Sequence, residues 1–179
     1  MKKMVLLFIC VVITSCVHFV DTNYQGEDRG YLVLSMLASK MTNYMYFDLY
    51  YKNENGDRAT IKYRTKVGKY SKPEKDYDTD EFYGVVKINN LIPGQYELFS
   101  YSILNAGGVL NWYPKKDFSY KFEIEPNKIT YIGQYRLYTD GAHSVHDNEQ
   151  RDMEVAEGKY HISGAEVLNF VPKVNYLGQ

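Results

Sequence analysis

Alternation of apolar and polar residues runs through most of the chain. Tyr44 to Lys52 (YMYFDLYYK) places Met45, Phe47, Leu49 and Tyr51 on one face. Arg58 to Lys66 (RATIKYRTK) places Ala59, Ile61 and Tyr63 inward and Arg58, Thr60, Lys62 and Arg64 outward. A period of two predicts half-buried strands, and the Asn55-Gly56 pair between them predicts a hairpin, because both residues accept positive φ. Upstream, Tyr31 to Ser39 (YLVLSMLAS) is an apolar run. It fits a buried strand, with a short helix the alternative that period alone leaves open.

Phe82 to Tyr101 (FYGVVKINNLIPGQYELFSY) reads as a strand, a turn and a second strand, and the rest of the chain packs around this predicted hairpin. Phe82, Val86 and Ile88 share a face, and Tyr96 and Leu98 return to the same core. Pro93-Gly94 suits a type II turn, Pro fixing φ at the second position and Gly taking positive φ at the third. Asp117 to Glu125 (DFSYKFEIE) alternates most cleanly, with Phe118, Tyr120, Phe122 and Ile124 inward. After Pro126-Asn127-Lys128, residues 129 to 138 (ITYIGQYRLY) put Ile129, Tyr131, Tyr135 and Leu137 on one side, with Gly133 at a bulge. Beyond a polar stretch from Thr139 to Arg151, the pattern allows short strands near Met153–Val155 and Tyr160–Ile162, or a helical turn near Ala165–Phe170 stopped by Pro172. Seven short strands separated by turn signals predict an all-β fold, an antiparallel sandwich over 31–138. Residues 139–179 form an irregular or helical extension packing on it.

The amino terminus changes the picture of where such a domain resides. Lys2 and Lys3 precede an apolar stretch, Met4 to Thr14, that is shorter than the roughly 20 residues a bilayer span requires and matches a secretory signal peptide. Ile13-Thr14-Ser15-Cys16 resembles the lipobox of bacterial lipoproteins, an aliphatic residue and two small ones before the cysteine that becomes the mature amino terminus. The resemblance implies that residues 1–15 are cleaved and that Cys16 carries lipid. Residues 16–30 then form a polar tether. Two or three acyl chains hold a protein on a membrane stably. Val17, in place of the aspartate that retains such proteins at the inner membrane of enteric-type bacteria, favours the outer membrane. The chain has 2 cysteines, Cys10 and Cys16, so no disulfide is expected in the folded part.

Leu91-Ile92-Pro93-Gly94-Gln95-Tyr96 resembles a segment of prealbumin-like sandwiches such as carboxypeptidase regulatory and collagen-adhesin B-type repeats. FEIEPNKITYIGQYRLY is similar to the closing strand pair of bacterial envelope lipoproteins that share this layout of lipobox, strands and tail. Both resemblances imply an immunoglobulin-like or prealbumin-like sandwich.

Composition adds limits. A formal net charge of -1 gives no general attraction to nucleic acid. The 19 tyrosines suit strands whose rings pack while their hydroxyls stay wet. Asp76, Asp78 and Asp80 with Glu81 make a D-x-D-x-D-E series of oxygen donors, the type calcium takes. An EF-hand loop would need Gly at Glu81 and Glu at Lys87, so a solvated loop is the plainer reading. His143 and His146, with His161 as a third ligand, raise zinc, but the spacing matches no strong motif. Serines lack a nucleophile-elbow setting, and no phosphate-cradling glycine loop is present. Trp112 and Tyr113, read as a loop between strands, are the candidate ligand-binding pair, either stacking on sugar or folding down onto the core. These readings favour a membrane-anchored, non-catalytic envelope module without cofactor, its partner an envelope protein or a glycan. A metal-dependent hydrolase is the alternative.

Overall fold

The computed structural model describes residues 18–40, 45–65, 74–105, 111–138, 142–162 and 164–172. Among these are ten strands and one helix: β1 (Gly30–Ser39), β2 (Met45–Asn53), β3 (Arg58–Arg64), β4 (Tyr77–Asp78), β5 (Phe82–Leu91), β6 (Gly94–Asn105), β7 (Asn111–Ile124), β8 (Ile129–Leu137), β9 (His143–His146), α1 (Glu149–Tyr160) and β10 (Val167–Asn169). The fold is mostly β, in two sheets around a shared core. One sheet has the order β3-β2-β6-β7. The other runs β10-β8-β1-β5-β4, with β9 paired to the remaining part of β8.

Alternation reads the four-stranded sheet correctly because one of its faces is open. The β2–β3 hairpin forms, with Lys52 opposite Arg58 and Gly56 at φ +83°. Phe47, Leu49, Tyr51, Ile61, Tyr63, Phe122 and Ile124 are buried between the sheets. The β1 run is mostly apolar because it is covered on both sides. Leu32, Leu34, Met36 and Ala38 enter the inter-sheet core, while Val33 lies beneath α1.

The two predicted central turns are crossings between sheets rather than hairpins. β5 pairs with β1 and β4, whereas β6 pairs with β2 and β7. The Tyr96 hydroxyl donates to the Ile92 carbonyl at 2.8 Å, bracing the crossing as a tyrosine corner does. Gly94 has φ +150°, away from the third position of a type II turn. The crossing also reassigns faces. Val85 and Leu91 join Tyr96 and Leu98 in the inter-sheet core, and Val86 and Ile88 pack under α1. At Pro126-Asn127-Lys128 the chain crosses back, so β7 and β8 are not a pair.

Crossing twice brings β8 alongside β1 in the same direction, so these two strands are parallel, as are β8 and β10. The wholly antiparallel expectation is corrected accordingly. Gly133 does mark a bulge: Val33 faces Tyr131 and Ser35 faces Gln134, leaving an extra residue in β8. At φ +105°, a Cβ there would also come 2.8 Å from Val145. The bulge reverses the side-chain phase. Ile129 and Tyr131 therefore face α1, while Ile132, Tyr135 and Leu137 face the core, instead of all sharing one side.

The described part of the expected tether is built into the sandwich. Arg58 N donates to His18 O (3.2 Å) and Val20 N to Arg58 O (3.1 Å); Asn90 N then bonds Thr22 O, and Tyr24 N bonds Asn90 O. The extension is helical in part, but not where the pattern placed the helix. α1 replaces the strands expected near Met153 and Tyr160, and the stretch proposed as a helical turn contains β10. Among α1 residues, Met153 and Ala156 supply its buried apolar contact, and the third buried residue is Asp152. A charged residue at an inward position is what obscures the helical period.

Candidate functional surface

Outward positions of β2, β3 and β6 carry aromatic rings among cations. Opposite Tyr50, β6 has an extra residue, and Tyr50 and Phe99 lie with centroids 6.3 Å apart. Arg58 lies 5.3 Å and Lys52 5.4 Å from the Phe99 ring centre, both within cation–π range. A shallow groove beside them is lined in part by Phe19, Val20, Lys62 and these rings. Other charges on the face are paired: Lys52 itself with Glu97 (3.0 Å), and Arg64 with Asp48 (2.6 Å). Hydrogen bonds from Lys52 and then Ser119 hold Glu97 below the usual carboxylate range. Among the described residues Arg58 and Lys62 form no ion pair. A half-buried ring beside a cation that makes no ion pair can hold an anionic or flat polar ligand.

The second polar concentration lies beneath α1. Asp152 is 0% exposed. Its Oδ2 accepts hydrogen bonds from Ser35 Oγ (2.5 Å) and Tyr131 OH (2.7 Å), and its Oδ1 accepts from Arg151 Nε (3.1 Å) and Nη2 (2.6 Å). Arg151 also donates to Tyr77 OH at 3.0 Å and lies 4.0 Å over that ring. Gln134 links Tyr77 to Asn148 and Arg136. Burial first, then the Asp152 charge, pushes the Tyr77 phenol up to about 12. The same causes push Tyr131 far higher. Each carboxylate oxygen is bonded within the protein, and the cluster ties α1 to β1 and β8.

The residues singled out from sequence fall into four groups. Cys16 lies outside the described residues. Trp112 and Tyr113 are in β7, not in a loop. Their backbone positions face Leu104 and Ile103 of β6, and their side chains are outside the described set. The aspartates diverge: Asp76 accepts from Val86 N (2.8 Å) and pairs with Lys159 (2.6 Å), Asp78 pairs with Lys40 and Lys75, and Asp80 is exposed. His143 and His146 sit on β9 three residues apart, hence on opposite faces. His143 packs 4.1 Å from the Tyr101 ring, His146 Nε2 is 2.7 Å from Ser144 Oγ, and His161 ends α1. Among the described residues no three His, Cys, Asp or Glu side chains cluster as metal ligands. Sequence reading missed Phe19, Tyr50, Phe99 and Asp152 as site candidates. The adjacent apolar pair Leu98-Phe99, breaking alternation, is the signal that marked the outward ring.

No family model matches the chain, and no curated protein matches it. Among solved structures, a leucine-rich repeat protein from Bacteroides thetaiotaomicron is similar over 64% of this chain, at 11% identity and a TM-score of 0.39. The match spans 14% of that protein's length. A likeness of this degree assigns neither family nor activity.

Proposed function

We propose that this protein is a lipid-anchored, non-catalytic binding or structural module of the bacterial cell envelope, held at the outer membrane through Cys16. The observation that carries the reading is the outward aromatic and cationic face of the four-stranded sheet, where Phe99, Tyr50 and Arg58 meet solvent instead of closing a core. Elsewhere the polar clusters bond internally, and the histidines diverge, which weakens the metal-dependent hydrolase. A prealbumin-like kinship draws its support from the Leu91-to-Tyr96 corner. Glycan binding through Trp112 and Tyr113 is a second reading, favoured by their place on β7, an edge strand; quenching or shift of the single tryptophan's fluorescence by a peptidoglycan fragment tests it.

The anchor is tested in the full chain by metabolic labelling with an alkynyl fatty acid. The parent chain is expected to take up label and sediment with membranes, and Cys16→Ser to do neither. Unlabelled parent protein, or a labelled C16S variant, overturns the anchor.

A further inference from the structure

We propose that the corner where the chain enters the sandwich is a membrane-facing surface, seated on anionic lipid headgroups beside the anchor; this rests on the lipid-anchor reading above. The argument begins with chain length. His18 is already bonded to β3 through Arg58 N. Cys16 precedes it by two residues, which span at most about 7 Å when extended. A domain on so short a leash cannot hang away from the bilayer, so the side that receives the chain is the side that meets it.

That side has the composition an interface needs. Phe19 is 76% exposed, and Ile92, in the crossing two residues past Asn90, is 50% exposed. The third exposed large apolar side chain among the described residues, Tyr160, ends α1, which packs on the other sheet. A phenylalanine flanked by cations suits the boundary between headgroups and acyl chains. Beside Phe19, Arg58 and Lys62 are exposed and make no ion pair among the described residues, although the chain as a whole is slightly acidic. A guanidinium and an ammonium on one outward strand face complement lipid phosphate.

Hydroxyl-radical footprinting of the full acylated chain reads this orientation directly. It is reconstituted in phosphatidylcholine vesicles with or without phosphatidylglycerol and compared with Cys16→Ser in solution. In the anionic vesicles Phe19, Tyr50 and Phe99 are expected to oxidise several-fold more slowly than in solution, with Tyr160 unchanged. In R58E/K62E, still acylated, that protection is expected to be lost; if the double variant unfolds, K62E alone is expected to lose part of it. Oxidation of Phe19 and Tyr50 at the soluble rate overturns the orientation. Equal protection in neutral vesicles, or protection that survives the charge reversal, overturns the headgroup assignment. Intact mass separates the two readings: absence of the acyl mass overturns the anchor and the orientation together, whereas an acylated chain with unprotected Phe19 overturns the orientation alone.

Discussion

Tyr96 illustrates how one hydroxyl holds a topology. Its ring is part of the core, stacked on Phe122 with centroids 5.8 Å apart, while its OH reaches back to Ile92 across the sheet crossing. Tyr96→Phe keeps the ring and removes the brace, and is expected to cost about 1 kcal/mol in urea unfolding. An unchanged midpoint would mean that the corner is held by Pro93 and packing instead. His146 supplies the pH dependence. Burial, then the guanidinium of Arg136, holds its imidazole below the ordinary value of 6.5. The unfolded chain therefore binds that proton more readily, and stability falls as pH drops through 6.5 toward the folded value, with no loss above 6.5. The parent is expected to lose more melting temperature between pH 7.5 and 5.5 than His146→Gln; equal losses would dismiss His146 as the cause.

At the scale of elements, α1 depends on a charge more than on apolar area. Met153 and Ala156 give it a narrow hold, and Asp152 joins it to β1 and β8 through Ser35 and Tyr131. Asp152→Ala leaves two buried hydroxyls and a partly buried guanidinium without their acceptor. The expected loss is about 3 kcal/mol, the lower end for a broken buried pair because Arg151 reaches water. Hydrogen exchange over residues 149–160 should accelerate first; uniform acceleration across both sheets would show that α1 is not a separate unit. This helix was illegible in the sequence for the same reason that it is anchored: a charged residue, Asp152, sits among its few inward positions. Strands with one open face, such as β2, β3 and β7 from Asp117 onward, announced themselves by alternation, and Gly133 announced its bulge. What alternation does not carry is the partner of each strand. Pro93-Gly94 and Pro126-Asn127 mark reversals, and a reversal that pairs looks the same locally as one that crosses. Likewise the outward cations of β3 were readable, but not that Phe99 and Phe19 would stand beside them.

For the whole molecule, the consequence of two crossings is that the sandwich is closed by its ends. β1, near the start, lies between β5 and β8, and β8 takes β9 and β10 from beyond residue 142 on its remaining edge. β9 and β10 are thus part of the sheet, and α1 is part of its cover. A chain ending at Tyr138 would expose the edge of β8 and uncover Val33, Val86, Ile129 and Tyr131. An unpaired edge beside an apolar patch invites association. The truncated chain is expected to bind a hydrophobic dye and to elute as oligomers in light-scattering chromatography, while the full-length C16S variant elutes as a smaller species. If the truncation instead remained monomeric and melted with the parent's cooperativity, the sheets would be self-sufficient, and the C-terminal elements would be additions to a domain already complete at β8.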